Sequence, residues 1–282
     1  MTRRVRDLLE SAVATLHGRV DDPATDAQLL LSHSLGRDRS WLFAWPEHAP
    51  EAAQTGRFLT LVEKRHAGEP VAYLTGRRAF WSLDLQVTPA TLIPRPETEH
   101  LVETALELAL DADACVLDLG TGSGAIALAL GRERPAWTIL ATDVSAAALE
   151  VARRNAVHNE VEQVAFRQGD WFDAVPEGMR FSLIVSNPPY VADRDPHLAA
   201  GDLRFEPRQA LAAGRDGTDA LRHLIANAPG FLAPGGWLWL EHGALHGATA
   251  RQLLTLHGFE QIETKADLAG LDRCSGGRLA AL

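Results

Sequence analysis

The chain has 282 residues, 46% hydrophobic and 23% charged, with a formal net charge of −10. That length allows one large domain with a smaller one beside it, the composition is that of a globular protein, and no apolar run approaches the length of a membrane span. The first 80 residues carry eleven Lys plus Arg against ten Asp plus Glu and the remainder sixteen against twenty-seven, so the acidity belongs to the second part, and neither part offers the basic surface that holding nucleic acid requires.

Met1-Thr2-Arg3-Arg4 leads into mixed-charge sequence without the apolar core of a signal peptide, and a cytoplasmic location is expected. Val5, Leu8, Leu9, Ala12, Val13 and Leu16 fall at helical spacing and Gly18 follows as a stop. A second helix is expected from Asp22, with Pro23 in its first turn, to Gly36, and a third from Glu51 to His66. Between them, Trp41-Leu42-Phe43-Ala44-Trp45 is expected to pack the core of a small helical bundle, with a partly exposed partner surface as the alternative. Residues 1–78 are therefore assigned to an N-terminal helical domain.

Trp81, Leu83, Leu85 and Val87 alternate with polar residues, the period of a half-buried strand, and the proline-rich run Thr88 to Pro96 interrupts regular structure. A β-hairpin-like linker is placed over residues 79–93 and a second domain over 94–282. Pro96 opens a helix, and from Ala114 strands and helices alternate. The expected strands are Ala114 to Leu119, Thr138 to Thr142, Val164 to Gln168, Phe181 to Ser186, Gly236 to Glu241, Phe259 to Thr264 and a weak last one near Arg278 to Ala281. The expected helices are Ala125 to Leu130, Ser145 to Asn155, Gly217 to Ala228 and Ala248 to His257. This alternation specifies an α/β fold, a doubly wound seven-stranded mostly parallel sheet covered on both faces.

Four stretches carry chemistry. Asp118-Leu119-Gly120-Thr121-Gly122-Ser123-Gly124 joins a strand to a helix, where glycines let a ligand approach the backbone and the helix N-terminus presents free N–H groups. Asp118 sits just before the turn, placed to meet a cationic part of a ligand. The spacing Gly120-x-Gly122-x-x-Ala125 also fits a dinucleotide site, and Asp143 after the next strand suits ribose hydroxyls in either case, so the pair indicates a nucleoside cofactor without choosing one. After the third strand, Asp170 is placed to accept from an adenine amino group with Trp171 and Phe172 as apolar walls.

The fourth stretch, Asn187-Pro188-Pro189-Tyr190, ends an apolar strand. Neither proline has an N–H, so the main chain there only accepts; Asn187 adds a side-chain carbonyl and Tyr190 a flat ring. Such a site suits a planar –NH₂ group. The two cysteines, Cys115 and Cys274, form no Cys-x-x-Cys pattern and the eleven histidines no His-Glu-x-x-His motif, which argues against a metal site or a disulfide framework.

In this order, the Gly120 to Gly124 loop, Asp143, Asp170-Trp171 and Asn187 to Tyr190 resemble the seven-stranded S-adenosylmethionine-dependent methyltransferases that act on amino nitrogens. Phe80 to Leu83, Ala90 to Glu99, Phe205-Glu206-Pro207 and Leu240 to Gly243 narrow the resemblance to the release factor glutamine methyltransferases, the PrmC (HemK) family. The resemblance implies a Rossmann-like fold and S-adenosylmethionine as methyl donor. The acceptor it implies is the side-chain amide of the glutamine in the Gly-Gly-Gln loop of peptide-chain release factors. The N-terminal helical domain is nearly neutral, precedes the linker and holds none of the cofactor positions, and it is expected to recognise the protein substrate. By position, Gly120, Thr121, Gly122, Ser123 and Gly124 bind the methionine portion, Asp143 the ribose, Trp171 the adenine surroundings and Asn187 both cofactor and substrate. Pro188, Pro189 and Tyr190 complete the substrate site. Another protein glutamine or an exocyclic base amine presents the same –NH₂ and is the alternative substrate; an NAD-dependent oxidoreductase is the remote one. No nucleic-acid or membrane partner is expected, and the chain is expected to be a monomer.

Overall fold

The computed structural model describes residues 3–280. Up to Arg77, and again over Ala200–Phe205, the chain forms one compact unit. It contains α1 (Val5–Leu16), α2 (Pro23–Leu35), α3 (Arg39–Ala44), α4 (Ala52–His66) and α5 (Val71–Thr75). Caps fix where these helices begin: Asp22 accepts from Thr25 N at 3.0 Å ahead of α2, and Asp38 accepts from Trp41 N at 2.7 Å ahead of α3. Leu8, Leu16, Leu30, Leu31, Leu42 and Phe58 fill the core. The aromatic run expected to pack this core is divided, because a helix as short as α3 turns only one side inward. Leu42 is buried and Trp41 lies edge-on to His48, whereas Phe43 and Trp45 are 66% and 59% exposed. Arg65, nearly buried, pairs with Asp26 and with Asp202, both at 2.7 Å, which ties the distant segment Ala200–Phe205 into this unit.

The second unit takes Arg78–Ala199 and the chain from Glu206 onward. It opens with a two-stranded sheet of β1 (Arg77–Phe80) and β2 (Leu83–Gln86). Trp81, expected to begin a strand, instead sits in the turn at φ 55°, with its N–H on Glu99 at 2.7 Å and its indole N–H on Glu133 at 2.8 Å. Two-residue hairpin turns need positive φ, and these two bonds offset the cost of a bulky residue there. After a short 3₁₀ turn at Pro96–Thr98 come α6 (Glu99–Glu107), β3 (Cys115–Leu119), α7 (Ala125–Glu133), β4 (Thr138–Asp143), α8 (Ala146–His158), β5 (Val164–Gln168), β6 (Phe181–Ser186), α9 (Asp219–Asn227), β7 (Leu232–Glu241), α10 (Gly247–Leu256), β8 (Phe259–Ala266) and β9 (Asp272–Leu279).

The seven-stranded sheet has the order β5-β4-β3-β6-β7-β9-β8, parallel except where β9 runs antiparallel to both neighbours. Val116, Leu183, Val185 and Trp239 pack one face; Leu117, Leu119, Ile184 and Leu240 pack the other, the continuous apolar strands of a sheet covered on both sides. The last strand is longer and earlier than expected, covering Asp272–Leu279, and Ala281 lies outside the described residues. The strand order reverses between β3 and β6, so the crevice beyond their carboxyl ends is where this topology places a ligand. Among the described residues no helix is long and apolar enough to cross a membrane.

Candidate active site

A cavity, partly open to solvent, occupies that crevice. The ends of four adjacent strands supply its floor: Gly120 to Ser123 after β3, Asp143 to Ser145 after β4, Gly169 to Trp171 after β5, and Asn187 with Pro189 after β6.

The glycine loop is held by the neighbouring strand. Gly120 N and Thr121 N both donate to Thr142 O at 2.9 Å, and Gly120, Gly122 and Gly124 all have positive φ. A Cβ on Gly120 would touch the Trp171 ring at 3.4 Å, so its absence keeps open the space between loop and ring. Behind the loop, Asn155 on α8 donates to Ser123 O at 2.8 Å and exchanges hydrogen bonds with both backbone groups of Gln86, fastening the loop to the hairpin.

Asp143 joins the loop to the following helix. Its two oxygens accept from Gly122 N at 2.9 Å and Ser145 N at 2.8 Å. Burial raises its carboxyl above the usual carboxylate range, and the two N–H donors oppose that. Because each carboxylate oxygen has a second acceptor position, Asp143 can still receive hydroxyl donors from the cavity.

Asp118 is placed elsewhere. It shares the face of Val116 in the two-residue alternation of β3, opposite Leu117 and Leu119, so its carboxyl lies under the start of α7, where Thr121 Oγ1 donates to it at 2.6 Å and the Ala127 N–H also reaches it. Its other oxygen has no hydrogen-bond partner, and burial pushes the group up to about 7. Asp118 does not line the cavity, so it shapes the loop and offers no direct contact to a bound cation. Phe172 is likewise not a cavity wall: it stacks on Phe231 at 4.4 Å inside the core, while Asp170 and Trp171 do face the cavity.

Of the Asn187 to Tyr190 stretch, Asn187 and Pro189 line the cavity. Asn187 Nδ2 donates to Thr98 Oγ1 at 3.0 Å, which leaves its carbonyl as the end available to a ligand. Pro188 is buried, and Tyr190, expected to complete the substrate site, lies outside the lining with its hydroxyl on Glu241 Oε1 at 3.3 Å.

No role could be read from sequence for the opposite wall, which comes from Ala90 to Leu92, Pro94 and Thr98 on one segment and Pro207, Gln209 and Ala210 on another. Glu206, its side chain fully buried, binds these segments together by accepting from Ile93 N at 2.9 Å and pairing with Arg95. The Ala90 to Glu99 and Phe205 to Pro207 motifs were visible as motifs; that they meet is a tertiary fact.

A family model described as the PrmC N-terminal domain matches residues 7–76, and one described as a methyltransferase small domain matches residues 97–214. A release factor glutamine methyltransferase from Xylella fastidiosa is 56% identical over 254 residues, covering 90% of this chain and 92% of the relative. Another from Aliivibrio fischeri is 44% identical over 280 residues, covering 99% and 98%. Among solved structures, a methyltransferase from Pyrococcus furiosus has a TM-score of 0.55 at 20% identity, covering 79% of this chain and 98% of its own, a likeness of fold.

Proposed function

The chain belongs to the family of release factor glutamine methyltransferases, and on that premise we propose how its own residues serve the reaction. The cofactor of the family is S-adenosylmethionine, and the substrate is the side-chain amide of a release factor glutamine, which we take to be that of the Gly-Gly-Gln loop. The observation that carries the assignment is the single cavity in which the glycine loop, Asp143, Trp171 and Asn187 converge.

The residues present fit the cofactor. Ser123 and, at the start of α7, Ala125 and Ile126 line the cavity and offer backbone N–H groups to a carboxylate, Asp143 offers acceptors to ribose hydroxyls, and Asp170 with Trp171 offers an acceptor and a face to adenine. When bound, S-adenosylmethionine supplies an electrophilic methyl group on a sulfonium sulfur.

An amide nitrogen is a poor nucleophile, because its lone pair is delocalised into the carbonyl. The protein's task is therefore to hold the –NH₂ group in line with the methyl. Asn187 presents its side-chain carbonyl, and Pro188 its backbone carbonyl, to the two N–H groups; no N–H of Pro188 or Pro189 competes for the amide's hydrogens. Such positioning supplies about 7 to 11 kcal/mol of a barrier, and prearranged acceptors add to it as charge develops on nitrogen. Tyr190, anchored on Glu241, holds the stretch in place.

A Gly-Gly-Gln loop is small, so choosing it among many glutamines takes contacts away from the reacting amide. We assign that recognition to the helical N-terminal unit, residues 1–78, and a cytoplasmic location follows from the partner. The test is mass spectrometry of a release factor incubated with the protein and S-adenosylmethionine. One methyl on the Gly-Gly-Gln glutamine is expected; methylation at another residue, or none, would overturn the assignment.

A further inference from the structure

Asn155 is fully buried on the inward face of α8, among Leu149, Val151, Ala152 and Ala156. A polar side chain in that place costs stability unless it is hydrogen-bonded, and both N–H groups and the carbonyl of this amide are engaged. Its Oδ1 accepts from Gln86 N at 2.7 Å, and its Nδ2 donates to Gln86 O at 3.0 Å and to Ser123 O at 2.8 Å. One backbone donor on one side and two backbone carbonyls on the other fix which end of the amide is oxygen.

Asn159, one turn further along α8, is built alike and supplies an internal comparison. Its Oδ1 accepts from Asp84 N and its Nδ2 donates to Asp84 O, both at 3.1 Å, so the two asparagines take the place of a neighbouring strand along that edge of β2. They differ in their second N–H bond. That of Asn159 returns to Asn155 O within the helix at 3.0 Å, whereas that of Asn155 leaves the hairpin and holds the glycine loop.

The point it holds is Ser123, which lines the cavity. Earlier in the loop, Gly120 N and Thr121 N are committed to Thr142 O and Gly122 N to Asp143. Ser123 O is drawn back to Asn155, and Gly124 N donates to Thr121 O at 2.8 Å, so the peptide that leads into α7 is gripped at both ends. We infer that Asn155 is a positioning residue for the cofactor, holding Ser123 and the start of α7 where their N–H groups receive the carboxylate of its amino-acid portion. The inference rests on the assignment of those N–H groups to that carboxylate made above. Because Asn155 acts at one end of the ligand, its loss should be felt by a ligand that has that end and not by one that lacks it.

The test is titration calorimetry with S-adenosylhomocysteine and 5′-methylthioadenosine, thioethers that share the nucleoside, of which only the first carries the amino-acid portion. Asn155→Ala should bind S-adenosylhomocysteine about tenfold or more weaker than the wild type, and 5′-methylthioadenosine within about twofold of it. Asn159→Ala loses the same two bonds to the hairpin and should bind both ligands within about twofold of wild type, although both variants unfold at lower urea. Asn155→Asp keeps the shape and the bond from Gln86 N but turns an oxygen toward two carbonyls. It should show the selective loss at about pH 8 and recover part of it at about pH 5.5, where a protonated carboxyl again donates, and it carries the test if Asn155→Ala does not fold. Equal losses on the two ligands, no loss on either, or the same selective loss in Asn159→Ala would overturn the inference. The wild type separates the two levels: if it binds 5′-methylthioadenosine as tightly as S-adenosylhomocysteine, the assignment of the loop to the amino-acid portion is itself wrong, whereas a wild type that discriminates beside an Asn155→Ala protein that discriminates equally removes Asn155 alone.

Discussion

Asp143→Ala removes a carboxylate that holds the glycine loop and that we propose receives the ribose hydroxyls, and its effect can be worked out from the geometry. Two of its four acceptor positions already hold Gly122 N–H and Ser145 N–H, which leaves two for the ribose hydroxyls. Hydrogen bonds to a charged group contribute about 1.5 to 3 kcal/mol each, so two ribose bonds are worth about 3 to 6 kcal/mol. At 1.4 kcal/mol per factor of ten, the dissociation constant for S-adenosylmethionine should rise by about a hundredfold or more. Part of any loss could come from slackening of the glycine loop, and a 2′-deoxyribose analogue isolates the direct bond. Removing the hydroxyl should weaken binding to the wild type and leave binding to Asp143→Ala nearly unchanged, giving a coupling energy by double-mutant cycle. Titration calorimetry reads all four affinities. A folded Asp143→Ala protein with wild-type affinity, or additive losses in the cycle, would refute the ribose assignment.

Two further variants probe the frame of the cavity. Asp118 keeps its proton up to about 7 when folded, against 3.8 as its ordinary value, so the native state holds the proton more tightly than the unfolded chain. The stability attached to that proton is present below about pH 4 and lost as pH rises to about 7, up to about 4 kcal/mol in total. Urea unfolding should therefore show Asp118→Asn gaining on the wild type across that interval; parallel stability curves would contradict the buried placement of Asp118. Glu206→Ala strands Arg95 and leaves Ile93 N–H without its acceptor, and should cost about 3 to 5 kcal/mol of stability. It should also weaken cofactor binding, since both segments it joins line the cavity; an unfolding midpoint equal to wild type would refute the clasp.

The central parallel strands were legible because a sheet covered on both faces writes them as apolar runs, and Phe181–Ser186 has the expected bounds. The floor of the cavity was legible for a related reason, since it is made where those runs stop, at residue types with few other uses there. The opposite wall was not. Ile93 and Glu206 meet across more than a hundred residues of chain, and no local pattern records that encounter. Asp118 shows a finer failure. Its place beside the glycine loop was evident, but the two-residue alternation that puts Leu117 and Leu119 on one face puts Asp118 on the other, and that decides its role.

Short elements escaped for want of periodicity, as with α5 and β1, each under two turns or four residues long. The last strand escaped for the opposite reason, because its composition argues against it. Gly276 and Gly277 read as a loop, yet a Cβ on Gly276 would lie 2.3 Å from the Trp239 ring. The tryptophan packs flat against the neighbouring strand only because that strand has no side chain there. Trp239 and Gly276 are therefore one packing unit written in two places, and neither residue alone announces a strand. The same division holds at the site, where Asn187 is conspicuous and Thr98, whose hydroxyl accepts from its amide, is unremarkable until the fold sets the two side by side.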